Sequence, residues 1–131
     1  MIYLGIDCGT QSTKTVALDG QTGKIIASAA QHYDVLPGLA SGHMEQNPAT
    51  WIAALETTVQ NVLQQLDGRK KDVAGIGISG QQHGFVPLDK ENQVIRPAKL
   101  WCDTSTIEEC DLFRQHFGGA EFFIERVGLD M

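Results

Sequence analysis

The first eighteen residues constrain this chain most. Ile2, Leu4 and Ile6 alternate with Tyr3, Gly5 and Asp7, and a second β-rich run, Thr15-Val16-Ala17-Leu18, follows a short polar stretch, Asp7 to Lys14. Alternation of period two predicts two strands with a wholly apolar side on the first and the Asp7 carboxylate emerging where its ladder stops. Gly9 lets a ligand approach the backbone with no Cβ in the way, and Thr10, Ser12 and Thr13 add hydroxyls to the N–H groups that such a turn exposes. The loop can therefore cradle a phosphate. Asp7 suits Mg²⁺, which keeps several waters and takes one or two carboxylates beside phosphate oxygens. The plainer alternative is a β-hairpin with an ordinary polar turn.

The length of 131 residues fits one domain, residues 1–131, large enough for a real core but small for an enzyme that must enclose two substrates. A net charge of −6 argues against nucleic-acid or membrane-surface binding, while a small phosphate needs only backbone N–H groups, a lysine and a metal. The chain opens directly on a strand pattern, without the layout of a signal peptide, and no apolar run reaches membrane-spanning length, so a cytoplasmic protein is expected. Cys8, Cys102 and Cys110 never approach C-x-x-C spacing, and Cys102, Cys110 and His116 read better as small structural residues than as metal ligands.

Turn residues at Asp19 to Gly23 fold the second strand back onto a third over Lys24 to Tyr33, giving an antiparallel three-stranded start. Asp34 to Asn47 loses all periodicity and reads as a long loop. Asn47-Pro48 then starts a helix whose apolar stripe is Trp51, Leu55, Val59, Val62 and Leu66, widened by Ile52 and Leu63 and stopped at Asp67-Gly68. Val73 to Gly80 predicts a buried strand. Its Gly75-Ile76-Gly77-Ile78-Ser79-Gly80 matches G-x-G-x-x-G, but the glycines lie inside the strand rather than opening a helix, so a dinucleotide site is rejected and close packing on that face is expected instead.

Gln81-Gln82-His83-Gly84 follows at the carboxyl end of that strand, where ligands of open α/β sheets bind, which makes Gln82 and His83 candidate substrate contacts. A lone histidine is more often a surface or core residue, so this position alone decides little. Phe85 to Leu88 and Val94 to Trp101, the latter interrupted by Pro97, predict short strands around a turn at Asp89 to Asn92. Thr104, Ser105 or Thr106 can cap a second helix with Glu108 and Glu109 in capping-box positions, and Gly118-Gly119 ends it before a last short helix or turn.

Three features in one order, the D-x-G-T loop at Asp7 to Thr10, the run Ser79-Gly80-Gln81-Gln82-His83-Gly84 and the run Lys99-Leu100-Trp101-Cys102-Asp103-Thr104, resemble the amino-terminal part of the FGGY carbohydrate kinases, in the forms seen in their xylulokinase branch. The resemblance spans nearly the whole chain. It implies an α/β fold, an actin-like (ribonuclease H-like) ATPase domain with a mixed sheet and helices on both faces, one of two domains closing over ATP and a sugar. It also implies that Asp7 works with Mg²⁺ and phosphates, that Thr10, Gln11, Ser12 and Lys14 face the nucleotide, and that Gln82 and His83, with Trp101 and Asp103 as further candidates, contact a ketose. The general base and the second domain are then expected beyond Met131, making residues 1–131 an incomplete piece of a D-xylulose kinase, inactive alone and prone to self-association, even as a homodimer, through the lost domain contact. A non-catalytic sugar- or phosphate-binding module, or a kinase of another ketose or polyol, are the competing readings.

Overall fold

The alternating N-terminal run becomes a ladder in the computed structural model, which describes residues 1–130. In chain order the elements are β1 (Ile2–Cys8), β2 (Ser12–Asp19), β3 (Ile25–His32), β4 (Glu45–Gln46), α1 (Pro48–Gln65), a 3-10 turn (Asp67–Asp72), β5 (Val73–Gly80), β6 (Ala98–Lys99), α2 (Ile107–Phe117) and α3 (Ala120–Val127). The main sheet has the order β3-β2-β1-β5, with β1–β2 and β2–β3 antiparallel and β1–β5 parallel. Register fixes what each face carries. Ile2, Leu4 and Ile6 share one face with their β2 partners Ala17 and Thr15, and the other face brings Lys14, Asp7 and Ser79 into one row beside Val16, Gly5 and Gly77.

Helix α1 covers the first of these faces. Ile2, Leu4, Ala17, Ala27, Val62 and Leu66 form the buried cluster, each large aliphatic contributing about 1.5–3 kcal/mol relative to exposure. The helix starts as the sequence indicates: Pro48 is its first residue, and the Asn47 side chain accepts from the Ala49 N–H at 3.0 Å. Its buried line, however, runs Ala54, Thr58, Val62, Leu66, turned from the stripe centred on Trp51 and Leu55, and Ile52 is 59% exposed. A polar residue hides in that line. The Thr58 hydroxyl donates to the Leu55 carbonyl at 3.1 Å, and the Thr15 hydroxyl lies 2.8 Å from it, so a buried hydroxyl pair stitches helix to sheet where an apolar residue would be expected.

β5 is not the buried strand its composition suggests. It pairs on one edge only, with β1, and Ile76 and Ile78 are 61% and 67% exposed because α1 lies over β1, β2 and β3 and stops short of β5. The close packing expected on its glycine side is not found at Gly77, where a Cβ would meet nothing within 4 Å, and at Gly75 amounts to ordinary contact with the Tyr3 ring at 3.5 Å. The helices expected on both faces are found on one: no helix among the described residues covers that second face, which leaves Asp7 and Lys14 accessible.

The long loop before α1 holds a short strand the sequence hides. Glu45–Gln46 pairs antiparallel with Ala98–Lys99, two residues a side and too short to show alternation. The predicted strands at 85–88 and 94–101 shrink to this β6 and to isolated bridges, Phe85 with Lys99 and Leu88 with Val94. The capping box of α2 does not form, because Ser105 is committed elsewhere and Thr106 makes no side-chain cap. Gly118, at φ 94°, ends α2 as expected, and Phe117 stacks on Phe122 at 5.4 Å between the last two helices.

The hydroxyl pair under α1 is directional, since Thr58 spends its proton on Leu55 and Thr15 must be the donor. Thr58→Val strands a buried O–H and should cost about 1–3 kcal/mol in urea denaturation, whereas Thr15→Val, which leaves Thr58 satisfied, should cost under about 1 kcal/mol. Equal losses in the two variants would refute this donor assignment.

Candidate functional site

The loop between β1 and β2 is held from beneath at three consecutive carbonyls. The Tyr33 hydroxyl donates to the Gly9 carbonyl at 2.6 Å, the Gln46 amide to the Thr10 carbonyl at 2.8 Å, and the Tyr33 N–H to the Gln11 carbonyl at 3.1 Å. A trans peptide sets its C=O and the following N–H on opposite sides, and the chain contains no cis bond. Turning those carbonyls inward therefore turns the N–H groups of Thr10, Gln11 and Ser12 outward. Among the described residues, the Thr10 and Gln11 N–H groups have no protein acceptor, which is the arrangement of an anion-binding nest. Gly9 permits the turn: its own N–H reaches the Ser12 carbonyl at 3.0 Å, and a Cβ there would stand 3.3 Å from the same oxygen. Burial first, helped by the nearby Cys8 and Asp7, pushes the Tyr33 phenol up to about 12 despite a Thr13 hydrogen bond, so it remains a donor.

Parallel pairing of β1 with β5 brings the second polar cluster beside this loop. Gln81 donates its N–H to the Cys8 carbonyl at 3.0 Å, and a Cβ on Gly80 would press within 3.2 Å of that oxygen. Above it, the Trp101 indole donates to the Thr10 hydroxyl at 3.0 Å, which in turn donates to the Gln81 side-chain oxygen at 3.2 Å. Asp7, Gly9, Thr10, Gly80, Gln81, Gln82, His83 and Trp101 consequently line one open cavity of about 450 Å³. Asp7 also lines a second depression with Lys14, Gly77 and Ser79 on the open sheet face. The carboxylate stands between the two, with one oxygen accepting from Ser79 at 3.0 Å.

The candidate residues fall into three groups. Asp7, Thr10, Gln82, His83 and Trp101 meet in one cavity, and Lys14 joins through Asp7, its neighbour across the ladder. Gln11 and Ser12 do not line it, and their contribution is backbone geometry. Asp103 is tied up: its side chain is 3% exposed and accepts from Lys99, from both the hydroxyl and N–H of Ser105, and from the Met44 N–H. His83 sits at φ 60°, a left-handed conformation costing a non-glycine residue about 1–2 kcal/mol.

Sequence reasoning gave no role to Tyr33, Gln46 or the ion network below them. Glu45, buried at the small sheet, pairs with Arg96, Lys99 and His43, and Lys99 bridges onward to Asp103. His43, Glu45 and Asp103 converge as metal ligands would, but Arg96 and Lys99 already supply the positive charge there. Cys102, Cys110 and His116 do not converge among the described residues. The Arg96 hydrogen bond, then its charge and that of Lys99, hold the Glu45 carboxyl below its usual range. For Asp103 burial works upward, but the hydrogen bonds from Ser105, Met44 and Lys99 outweigh it and hold the group far below the carboxylate range.

The mixed sheet order with a cavity at the strand ends is the α/β arrangement of an actin-like domain. Residues 2–131 match the profile of the FGGY family of carbohydrate kinases, N-terminal domain, and the chain belongs to that family. It is 41% identical to the xylulose kinase of Haemophilus influenzae over 132 aligned positions, covering 98% of this chain and 27% of that protein. The xylulose kinase structure from Bifidobacterium adolescentis superposes with a TM-score of 0.69 at 30% identity, over 90% of this chain and 21% of that one. The xylulose kinase from Rhodospirillum rubrum shares the fold with a TM-score of 0.89 at 23% identity, covering 98% of this chain and 26% of that one. The chain thus spans about a quarter of the length of the curated relatives it matches.

Depressed carboxyls make the small-sheet network acid-sensitive. Because Glu45 and Asp103 have folded pKa values below their unfolded values, the unfolded chain binds more protons below about pH 4, and stability falls as pH drops through that range. Asp103→Asn should flatten this acid limb in a series of urea melts from pH 6 to pH 3. An unchanged slope would count against the network as its source.

Proposed function

We propose that this chain is the sugar- and phosphate-holding domain of an ATP-dependent carbohydrate kinase that phosphorylates D-xylulose at its terminal hydroxyl to give D-xylulose 5-phosphate. One observation carries the reading: the Asp7–Thr10 loop and the Gln82–His83 pair, distant in sequence, line a single cavity. A phosphoryl group and the hydroxyl that receives it must meet in one place. That the relatives are xylulose kinases favours D-xylulose over another ketose or polyol.

The residues fit the nucleotide and its metal. Outward N–H groups of Thr10 and Gln11 suit phosphate oxygens, Lys14 adds a cation, and the exposed Asp7 carboxylate is the hard oxygen donor that Mg²⁺ takes alongside water. Bound Mg²⁺ would neutralise phosphate charge. On the sugar side, the Gln82 amide and the His83 imidazole offer hydrogen bonds to hydroxyls, and Trp101 offers an apolar ring face. ATP supply makes the cytoplasm the place of work, in keeping with the lack of any helix long and apolar enough to cross a membrane among the described residues.

One step wants a group from elsewhere. Deprotonating the sugar hydroxyl calls for a general base, yet Asp7 is given to the phosphate side and Asp103 is locked in hydrogen bonds. We therefore assign the base, with the adenosine contacts, to a second domain of the same polypeptide, as relatives about four times longer allow. On that account residues 1–131 alone bind ligand and transfer nothing.

In the kinase polypeptide carrying these residues, Asp7→Asn should lower kcat/KM for D-xylulose by roughly 10²–10³-fold in a coupled ADP-release assay. Near-normal turnover would remove Asp7 from the phosphate site. A clear preference for another sugar in a panel of ketoses and polyols would overturn the D-xylulose assignment while leaving the kinase reading intact.

A further inference from the structure

We infer that Gln46 is a positioning residue for nucleotide binding, acting through the Thr10–Gln11 peptide to aim the Gln11 N–H at a phosphate oxygen. The inference deepens the kinase reading and rests on it. Gln46 is 1% exposed, and both ends of its amide are used: Nε2 donates to the Thr10 carbonyl at 2.8 Å, and Oε1 accepts from the Trp51 indole at 2.8 Å. The Trp51 bond fixes which way the amide faces, since an indole N–H can only donate. Nε2 must therefore point at the loop. A trans peptide then leaves no choice about the other side of the Thr10–Gln11 unit: with its oxygen pulled inward, its N–H points out.

Position supports a functional rather than a filling role. Gln46 lies on β4, paired with β6, and the chain leaves β6 through Leu100 to Trp101, whose indole donates to the Thr10 hydroxyl. Thr10 is thus held twice, by its carbonyl from Gln46 on the small sheet and by its hydroxyl from Trp101 just beyond it. An apolar residue at position 46 could fill the same volume, but it would leave the Thr10 carbonyl without a donor and free the peptide to rotate. The Gly9–Thr10 peptide has an independent clamp in Tyr33, so the loss should be partial and confined to one N–H.

The test uses Gln46→Met, which keeps volume and removes both hydrogen bonds, in the kinase polypeptide carrying this domain. Mg·ATP and D-xylulose affinities are measured separately by calorimetry, with folding checked by circular dichroism. The expected result is Mg·ATP binding weakened about tenfold while D-xylulose binding moves less than twofold. If Gln46→Met does not fold, Trp51→Phe keeps an aromatic side chain while removing the indole N–H that orients Gln46, and the same split, at about threefold, is expected. Unchanged Mg·ATP binding in a folded variant, or equal weakening toward both ligands, overturns the inference and leaves the kinase reading standing. Failure of the wild type to bind Mg·ATP overturns both.

Discussion

Three inward-facing carbonyls, at Gly9, Thr10 and Gln11, are the constraint on which the site depends. A peptide in a polar loop can turn either its oxygen or its N–H toward a ligand. Satisfying the oxygens from below removes the first alternative, because each peptide plane has only two sides. The electrostatic character of the loop is therefore decided by residues that no phosphate would touch: a phenol from the end of β3 and an amide from β4. This is preorganisation in a literal sense, with the orienting interactions formed before a ligand arrives.

Much of this scaffold was legible, and for identifiable reasons. Ile2, Leu4 and Ile6 alternate because one face of β1 is covered and the other is not, and Asn47-Pro48 announces α1 through a side-chain cap and a missing N–H. Where local pattern and tertiary context diverge, the sequence misleads. Thr58 sits mid-stripe as a polar residue, so the buried line of α1 reads as if turned toward Ile52, and only its pairing with Thr15 shows why it is inside. β5 has the composition of a covered strand and the exposure of an edge. At the site, Asp7, Thr10 and His83 could be picked out by motif and resemblance. Gln46 could not, since its value comes from a contact with a residue 36 positions away.

The two-residue pairing of β4 with β6 does more than its size suggests. It carries Gln46 and leads into Trp101, and it stands on the Glu45, Arg96, Lys99 and Asp103 network. Buried ion pairs add little net stability, but they are directional and resist sliding. His83 adds a similar note: a non-glycine residue held left-handed beside the cavity carries a conformational cost that surrounding contacts must offset.

Parallel adjacency of β1 and β5 has a consequence for the order in which the chain supplies the site. The meander of β1, β2 and β3 closes over short turns, and α1, which packs on it, precedes β5 in the chain. Asp7 meets Ser79 across 72 positions, and Thr10 meets Trp101 across 91. The β1–β2 loop and its supports from Tyr33 and Gln46 thus lie in the first part of the chain, while the proposed pocket beside it closes only through contacts of long sequence separation.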